Sequence, residues 1–294
     1  MYYDVTHSTD YAYATPAAEA YLEARLTPPT ARGQRVIRHD LNINPNTPTS
    51  RYIDFCGNTV DFLSLPYRHK RLTVVNHAVV ETLPQLLPDD ILSASVQEAK
   101  QILGSGLTDI YDYLQPTETV KIGRESLQWA KRYFPGKSTL RSSLETLNKA
   151  IFETFEYRKG STDNSTPLTT VWRDRKGVCQ DFAHIMLAVL RTAGFPARYI
   201  CGYIDANPVN VDGKRLVGAL ATHAWVEILL PGQVWVALDP TNNQWCGERH
   251  ITVSYGRDFR DATPLRGTFK GTGAQNMKVK VLVRELTSAR AARA

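Results

Sequence analysis

Cysteine is scarce in this chain. Four residues, Cys56, Cys179, Cys201 and Cys246, are scattered over 294 positions with no C-x-x-C pair. That spacing excludes a disulfide-stapled scaffold and matches no zinc-ligand template, so neither a metal nor a cofactor is expected. No apolar run approaches the ~18–20 residues of a membrane-spanning helix. The start, Met1-Tyr2-Tyr3-Asp4-Val5, lacks both the basic and the apolar region of a signal peptide. A cytoplasmic protein with no membrane partner is the expectation. The formal net charge is only +6 and no Lys/Arg block concentrates it, so nucleic acid is not an expected partner either. What remains is a globular composition, 43% hydrophobic and 22% charged, with 16 prolines and 18 glycines spread along the chain. The length suggests two domains; no internal repeat is visible.

The first 81 residues are rich in short β-branched or aromatic runs: Tyr11-Ala12-Tyr13, 35–43, 52–55, 59–63 and 72–76. Turn signals such as Asn44-Pro45-Asn46-Thr47-Pro48 and Gly57-Asn58 separate them, which predicts an antiparallel β-sandwich over 1–81. Pro84 and Pro88 mark a linker, and 82–294 is expected to form a second domain. Within it, 89–155 has helical periodicity. One helix is predicted to start at a Thr117-Glu118 cap, carry Val120, Leu127, Trp129 and Ala130, and stop at Phe134-Pro135-Gly136. Another carries Leu140, Leu144, Leu147, Ile151 and Phe155. From 198 onward the pattern turns to strands, at 198–204, 223–230, 234–238, 250–254 and 278–285. Helices followed by strands argue for an α+β domain with an antiparallel sheet. The tail 288–294 is expected to be frayed.

The chemistry concentrates at Gly177-Val178-Cys179-Gln180-Asp181. Gly177 suits a tight turn. After Cys179, the residues Phe182, Ile185, Met186, Val189 and Leu190 recur with the period of an amphipathic helix, which Gly194 and Pro196 close. Cys179 thus falls in the first turn of a helix, where free N–H groups and the positive dipole end favour a thiolate and can hold an oxyanion. Downstream, His223 opens an alternating strand, Pro231-Gly232-Gln233 turns the chain, and Val234 to Asp239 returns. Residues equidistant from a hairpin turn face each other across ~5 Å. A turn centred on Pro231 therefore sets Asp239 beside His223, to within one pair of register. There its carboxylate would accept Nδ1–H and fix the imidazole tautomer. Each residue also has an ordinary explanation: a buried free thiol, a packing histidine, and an Asp-Pro turn starter. The ordered set of thiol, base and carboxylate outweighs them. Trp225, Trp235 and Tyr203 suit core or cleft walls, Glu227 a surface or strand-pairing charge, Cys201 and Cys246 buried bystanders, and His184 helix surface or packing. A zinc site drawn from Cys179, Cys201, Cys246, His223 or His250 fits no template.

These blocks, together with Ala193 to Tyr199, Gly202-Tyr203, His223-Ala224-Trp225-Val226-Glu227 and Trp235 to Asn242, resemble the transglutaminase-like cysteine protease superfamily. His250-Ile251-Thr252-Val253 and Gly256-Arg257-Asp258 are similar to the end of its bacterial group. Tyr11, Asp54, Gly57-Asn58 and 69–81 are similar to that group's N-terminal β domain. The resemblance implies a papain-like α+β core with Cys179 as nucleophile, His223 as base and Asp239 as orienting acid. It also implies an oxyanion hole made by the cysteine N–H and an upstream donor, for which Trp172 is the candidate; the backbone N–H of Gln180 is a second. A peptide or protein substrate follows, attacked at an amide carbonyl to give a thioester. Hydrolysis is placed slightly ahead of transfer to an amine, and a non-catalytic peptide-binding module is the remaining alternative.

Overall fold

A computed structural model describes residues 1–31, 33–104, 108–205, 221–287 and Ala292; the expected fraying of 288–294 otherwise lies outside them. The amino-terminal part consists of β1 (Tyr2–Ala17), β2 (Glu19–Ala24), β3 (Gln34–Asn44), β4 (Thr49–Ile53), β5 (Thr59–Leu65) and β6 (His69–Thr82). Helices α1 (Asp89–Ser93), α2 (Val96–Leu103), α3 (Arg124–Tyr133) and α4 (Leu140–Thr154) follow. Then come β7 (Glu156–Tyr157), α5 (Leu168–Asp174), β8 (Lys176–Gly177) and α6 (Cys179–Thr192). The remainder holds β9 (Ala197–Ile204), β10 (His223–Leu230), β11 (Val234–Asp239), β12 (Gln244–Trp245), β13 (His250–Gly256), α7 (Phe259–Ala262), β14 (Leu265–Lys270) and β15 (Gln275–Leu286).

The sandwich expected from the sequence is present as two four-stranded sheets, ordered β15-β1-β6-β3 and β14-β2-β5-β4. Alternation along β1 buries Tyr3, Val5, His7, Thr9, Tyr11 and Tyr13. Tyr11 and Tyr13 pack between the sheets with Leu22, Leu63, Leu65, Leu72 and Val74. The sandwich does not end at residue 81. β14 pairs with β2 from Leu265↔Ala24 to Lys270↔Glu19, and β15 pairs with β1 over its whole length. The expected second domain, 82–294, therefore contains two strands of the first. They cover two edges that 1–81 alone leaves open to pairing with other chains.

A five-stranded antiparallel sheet, β12-β11-β10-β9-β13, carries the second core. Ala224, Val226, Ile228, Tyr199 and Cys201 pack in one cluster with Phe182, Ile185, Met186 and Val189 of α6. Each such fully buried large side chain contributes ~1.5–3 kcal/mol. The α6 helix ends as the sequence predicts. Gly194 adopts φ +87°, with Phe195 N–H donating to Leu190 O and Gly194 N–H to Arg191 O. Arg191, buried near this end, donates to the carbonyls of Ala197, Gln115 and Arg257. A third cluster joins the sandwich to the five-stranded sheet: Tyr3, Val5, Ala78 and Val80 pack on Tyr203, Ile251 and Val253. There His7 Nδ1 and Tyr203 Oη are 2.9 Å apart. Tyr203 thus belongs to the domain junction rather than to a cleft wall.

One helix start differs from expectation. Thr117 does not cap a helix; its Oγ1 accepts from Val120 N–H in a local turn, and α3 begins at Arg124, where Gly123 N–H donates to Ser126 Oγ. The hydroxyl is satisfied one turn too early to start α3. In α4 the expected face is buried and Thr139 Oγ1 caps the helix by accepting from Ser142 N–H.

Candidate active site

Cys179 is the first residue of α6 and half-buried. The chain reaches it through a turn in which Arg175, not Gly177, takes the left-handed conformation, at φ 52°. The Arg175 guanidinium lies over Phe155 and Trp172, 5.1 and 5.7 Å from their ring centroids. Gly177 is required for a different reason. A Cβ there would sit 2.7 Å from Asp181 Oδ2 and 2.8 Å from Asp181 Cβ. The N–H groups of Cys179 and Gln180 donate to no acceptor among the described residues, whereas those of Asp181 and Phe182 both reach Val178 O. Two adjacent donors are therefore free beside the thiol, as the helix start predicts.

His223 and Asp239 meet in the buried end of the β10–β11 hairpin. The ladder runs from Val226↔Leu238 to Leu230↔Val234, centred on Gly232 and not on Pro231, because Gly232 (φ 75°) and Gln233 (φ 58°) both turn left-handed. The offset leaves His223 diagonal to Asp239, and the diagonal contact closes: Nε2 and Oδ2 are 2.8 Å apart. The expected use of the ring is thus reversed. Nε2 meets the carboxylate, and Nδ1, buried in the site, is the nitrogen left for Cys179. Burial alone would lower the His223 pKa. The charge and hydrogen bond of Asp239, supplemented by Cys179, outweigh it and raise the imidazole to about 10. For Asp239, burial would raise the carboxyl, but His223 and then His250 hold it far below the usual carboxylate range.

The two explanations of Asp239-Pro240 hold together. Oδ1 starts the turn, accepting from Thr241 N–H at 2.9 Å and Asn242 N–H at 3.2 Å, while Oδ2 takes the histidine. Oδ2 also accepts from Asn242 Nδ2 at 2.7 Å and approaches His250 Nε2 at 3.4 Å. Gly247 N–H donates to His250 Nδ1, which leaves the proton on Nε2, toward Asp239. Trp225 is wedged between the two imidazoles, 6.1 Å from His223 and 5.2 Å from His250 by ring centroids. Asn242, His250 and Tyr157 were not singled out from the sequence as parts of the triad's surroundings. Asn242 lies three residues from Asp239, a spacing that signals an Asx-type turn. Tyr157 has no local signal. It reaches the thiol because β7 pairs in parallel with β8, and its hydroxyl is pushed up to about 12 by burial and then by Cys179.

The remaining expected residues have definite places. Trp172 is buried in an aromatic cluster with Trp129 (5.0 Å) and Phe155 (5.5 Å), so ring contacts hold it. It also borders a cleft of about 950 Å³ between the domains, shared with Tyr11, Tyr13, Leu22, Phe259 and Phe269; Cys179, His223 and Asp239 do not line that cleft. Glu227 pairs across the strands with Arg198, at 2.6 Å, and Arg198 stacks on Trp235 at 4.2 Å. His184 is not on the helix surface. It is buried, its Nε2 accepts from Phe259 N–H, and desolvation lowers it to about 4. Cys201 is a buried thiol, pushed up to about 12 by burial first and by Cys179 next. Among the described residues no three His, Cys, Asp or Glu side chains converge as a metal would need, and no helix is long and apolar enough to cross a membrane.

A half-buried thiol at a helix start, packed against an antiparallel sheet that carries a His–Asp pair, defines the papain-like class of α+β folds. Comparison with known proteins agrees. The family model of the transglutaminase-like superfamily matches residues 127–240, a span that includes Cys179, His223 and Asp239, and that of the bacterial transglutaminase-like N-terminal region matches 3–81. An uncharacterized Mycobacterium leprae protein is 34% identical over 289 residues, covering 96% of this chain and 98% of that one. A Mycobacterium tuberculosis relative is 36% identical over 296 residues, covering 96% and 91%. A crystal structure of a cysteine-protease candidate from Cytophaga hutchinsonii superposes with a TM-score of 0.74 at 20% identity, covering 98% of this chain and 92% of that one. A shorter match, 42% over 67 residues, is to a protein-glutamine gamma-glutamyltransferase of Pseudomonas aeruginosa, 10% of whose length it covers. The chain belongs to the transglutaminase-like superfamily, which supports a cysteine-dependent enzyme.

Proposed function

We propose that this protein is a cysteine-dependent acyl-transfer enzyme acting on peptide or amide bonds, with Cys179, His223 and Asp239 as its triad. The observation that carries the reading is the buried chain from Asp239 through His223 toward Cys179, beside two free N–H groups at the start of α6. With the raised imidazole already holding the thiol's proton on Nδ1, the Cys179 thiolate attacks the carbonyl carbon. The oxyanion is received by the N–H groups of Cys179 and Gln180, with Trp172 as a further donor candidate. Collapse breaks the C–N bond, the leaving amine takes the proton from His223, and a thioester remains. Water, deprotonated by His223, then releases the acid and restores the thiol. An attacking amine would instead leave a new amide.

Hydrolysis is placed first because Cys179 is only partly buried, and transfer to an amine requires that water be excluded. Transamidation is the second reading, favoured by the local match to the gamma-glutamyltransferase. The substrate would be a peptide or protein, with no nucleic acid or membrane partner. Four unpaired cysteines suit the reducing cytoplasm.

The test offers glutamine-containing peptides with and without a labelled amine and follows cleavage, ammonia release and label incorporation, with Cys179→Ala as control. Mass spectrometry of the quenched enzyme should show an acyl adduct on Cys179. Cleavage or deamidation without label supports hydrolysis, and label incorporation supports transamidation. No adduct with any acyl donor, including activated esters, would contradict both.

A further inference from the structure

Asp181 stands two residues after the nucleophile, turns its side chain back toward Gly177 and Val178, and is 4% exposed. Its Oδ2 accepts two hydrogen bonds, from Val178 N–H at 2.8 Å and from Thr162 Oγ1 at 2.6 Å. The first is the bond by which a carboxylate at the third helical position steadies the residue before the helix. Val178 has no side-chain acceptor to return it, so on the side-chain side it is Asp181 that holds the extended backbone leading to Cys179. The second bond reaches across to the loop after β7. That loop is braced internally: Ser161 Oγ donates to Arg158 O, and Asp163 Oδ1 accepts from Ser165 and Thr166. Arg158 N–H donates to Gly177 O, and Tyr157 on the same strand lies beside Cys179. Gly177 completes the arrangement, since any Cβ would collide with the Asp181 side chain. One carboxylate thus holds the turn before the thiol, the wall beside it and the direction of the two free N–H groups.

We propose that Asp181 is a positioning residue that clamps the 158–166 loop to the first turn of α6 and so sets the oxyanion pocket and the acyl-side wall at Cys179. It takes no part in activating the thiol, which is the task of His223. The inference rests on the acyl-transfer reading above, and the two are separable because the clamp has a readout that needs no substrate. Backbone hydrogen exchange in the wild type, Asp181→Ala and the milder Thr162→Val is the first arm. Val178 and the 158–166 amides should exchange at least about tenfold faster in Asp181→Ala, and the loop alone should do so in Thr162→Val. Unchanged protection in both variants overturns the clamp, whatever the enzyme does.

The second arm compares turnover of an activated acyl substrate with alkylation of Cys179 by iodoacetamide, which needs no oxyanion pocket. Turnover should fall about 10²-fold in Asp181→Ala and less in Thr162→Val, chiefly in kcat, while the alkylation rate stays within about twofold of wild type. Asp181→Asn, which keeps an acceptor oxygen, should recover part of the loss. A parallel fall of alkylation and turnover would show that Asp181 acts on the thiol itself and would overturn the proposal. Absence of turnover in the wild type would sink the acyl-transfer reading and leave the exchange arm to decide the clamp. Finally, Gly177→Ala should lower Tm in the wild type and not in the Asp181→Ala background. An equal loss in both would contradict the steric pairing.

Discussion

Replacing Asp239 by Asn keeps the shape of the buried site and changes its charge, which makes it the sharpest perturbation of the triad. In the wild type the carboxylate accepts from His223 Nε2, from Asn242 Nδ2 and from the N–H groups of Thr241 and Asn242. Raising the imidazole from 6.5 to about 10 corresponds to ~5 kcal/mol in favour of the charged ring. The lowering of Asp239 describes the same interaction and is not added to it. An amide oxygen at Oδ1 can still serve the turn, but Nδ2 would face Nε2 and donate to it. The imidazole proton then moves to Nδ1, facing Cys179, where it cannot accept a proton from the thiol. Burial, then opposed only by the neighbouring Cys179, favours the neutral ring. Turnover should fall about 10⁴-fold. Stability should change with a definite sign. The share owed to charged His223 is fully present below pH 6.5 and is lost as pH rises through about 10; the share owed to Asp239 is present above ~3.9 and is lost below it. Urea unfolding from pH 4 to 10 should therefore show wild-type stability declining above 6.5 and a flatter profile in Asp239→Asn. Wild-type turnover in the variant, or an identical decline above pH 6.5, would refute this electrostatic account.

Other perturbations test the frame around the site. Gly202→Ala places a Cβ 2.2 Å from Ile251 O and 2.4 Å from the Trp225 ring; because a backbone carbonyl cannot yield as a flexible side chain can, denaturant titration should show a loss of 1–3 kcal/mol or more, roughly the cost of overpacking, and an unchanged midpoint would refute it. His7 and His184 are buried and lowered to about 4, mainly by desolvation, so each contributes stability that is present above 6.5 and lost on the way down to 4; His184→Gln should remove up to about 3 kcal/mol of that acid sensitivity, read as a flatter pH dependence of unfolding between 6.5 and 4. Truncation after Pro264 removes β14 and β15 and exposes β1 and β2 as edges, so the fragment should aggregate or lose cooperative unfolding; a monomer with the full-length Tm would show that 1–81 is self-sufficient.

The parts of this protein legible in its sequence are those whose signals are local. The apolar spacing after Cys179 is a helix period, Gly194 can close it in a left-handed turn, and the strands around Pro231-Gly232-Gln233 alternate about that turn. Their order singles out Cys179, His223 and Asp239 from sequence alone. What escaped depends on contacts between distant segments or on a single atom's direction. Which imidazole nitrogen meets Asp239 depends on the diagonal offset of the hairpin, set by two successive left-handed residues, one of them a glutamine. The role of Gly177 depends on a side chain four residues on. Tyr157 comes beside the thiol only through a two-residue parallel pairing. His184 is buried because α7 covers it. The joining of β14 and β15 to the sandwich carries no marker in their composition; it follows from the edges of β2 and β1, each of which needs a partner. Trp172 is adjacent to the nucleophile turn in sequence, and the structure accounts for it by aromatic packing on Trp129 and Phe155.

The most direct measurement is the rate of Cys179 alkylation by iodoacetamide against pH, in the wild type and in His223→Ala. The Cys–His account predicts a rate plateau beginning well below the ~8.5 of a free thiol, displaced upward when His223 is lost. An ordinary thiol profile, unchanged by removing His223, would contradict it.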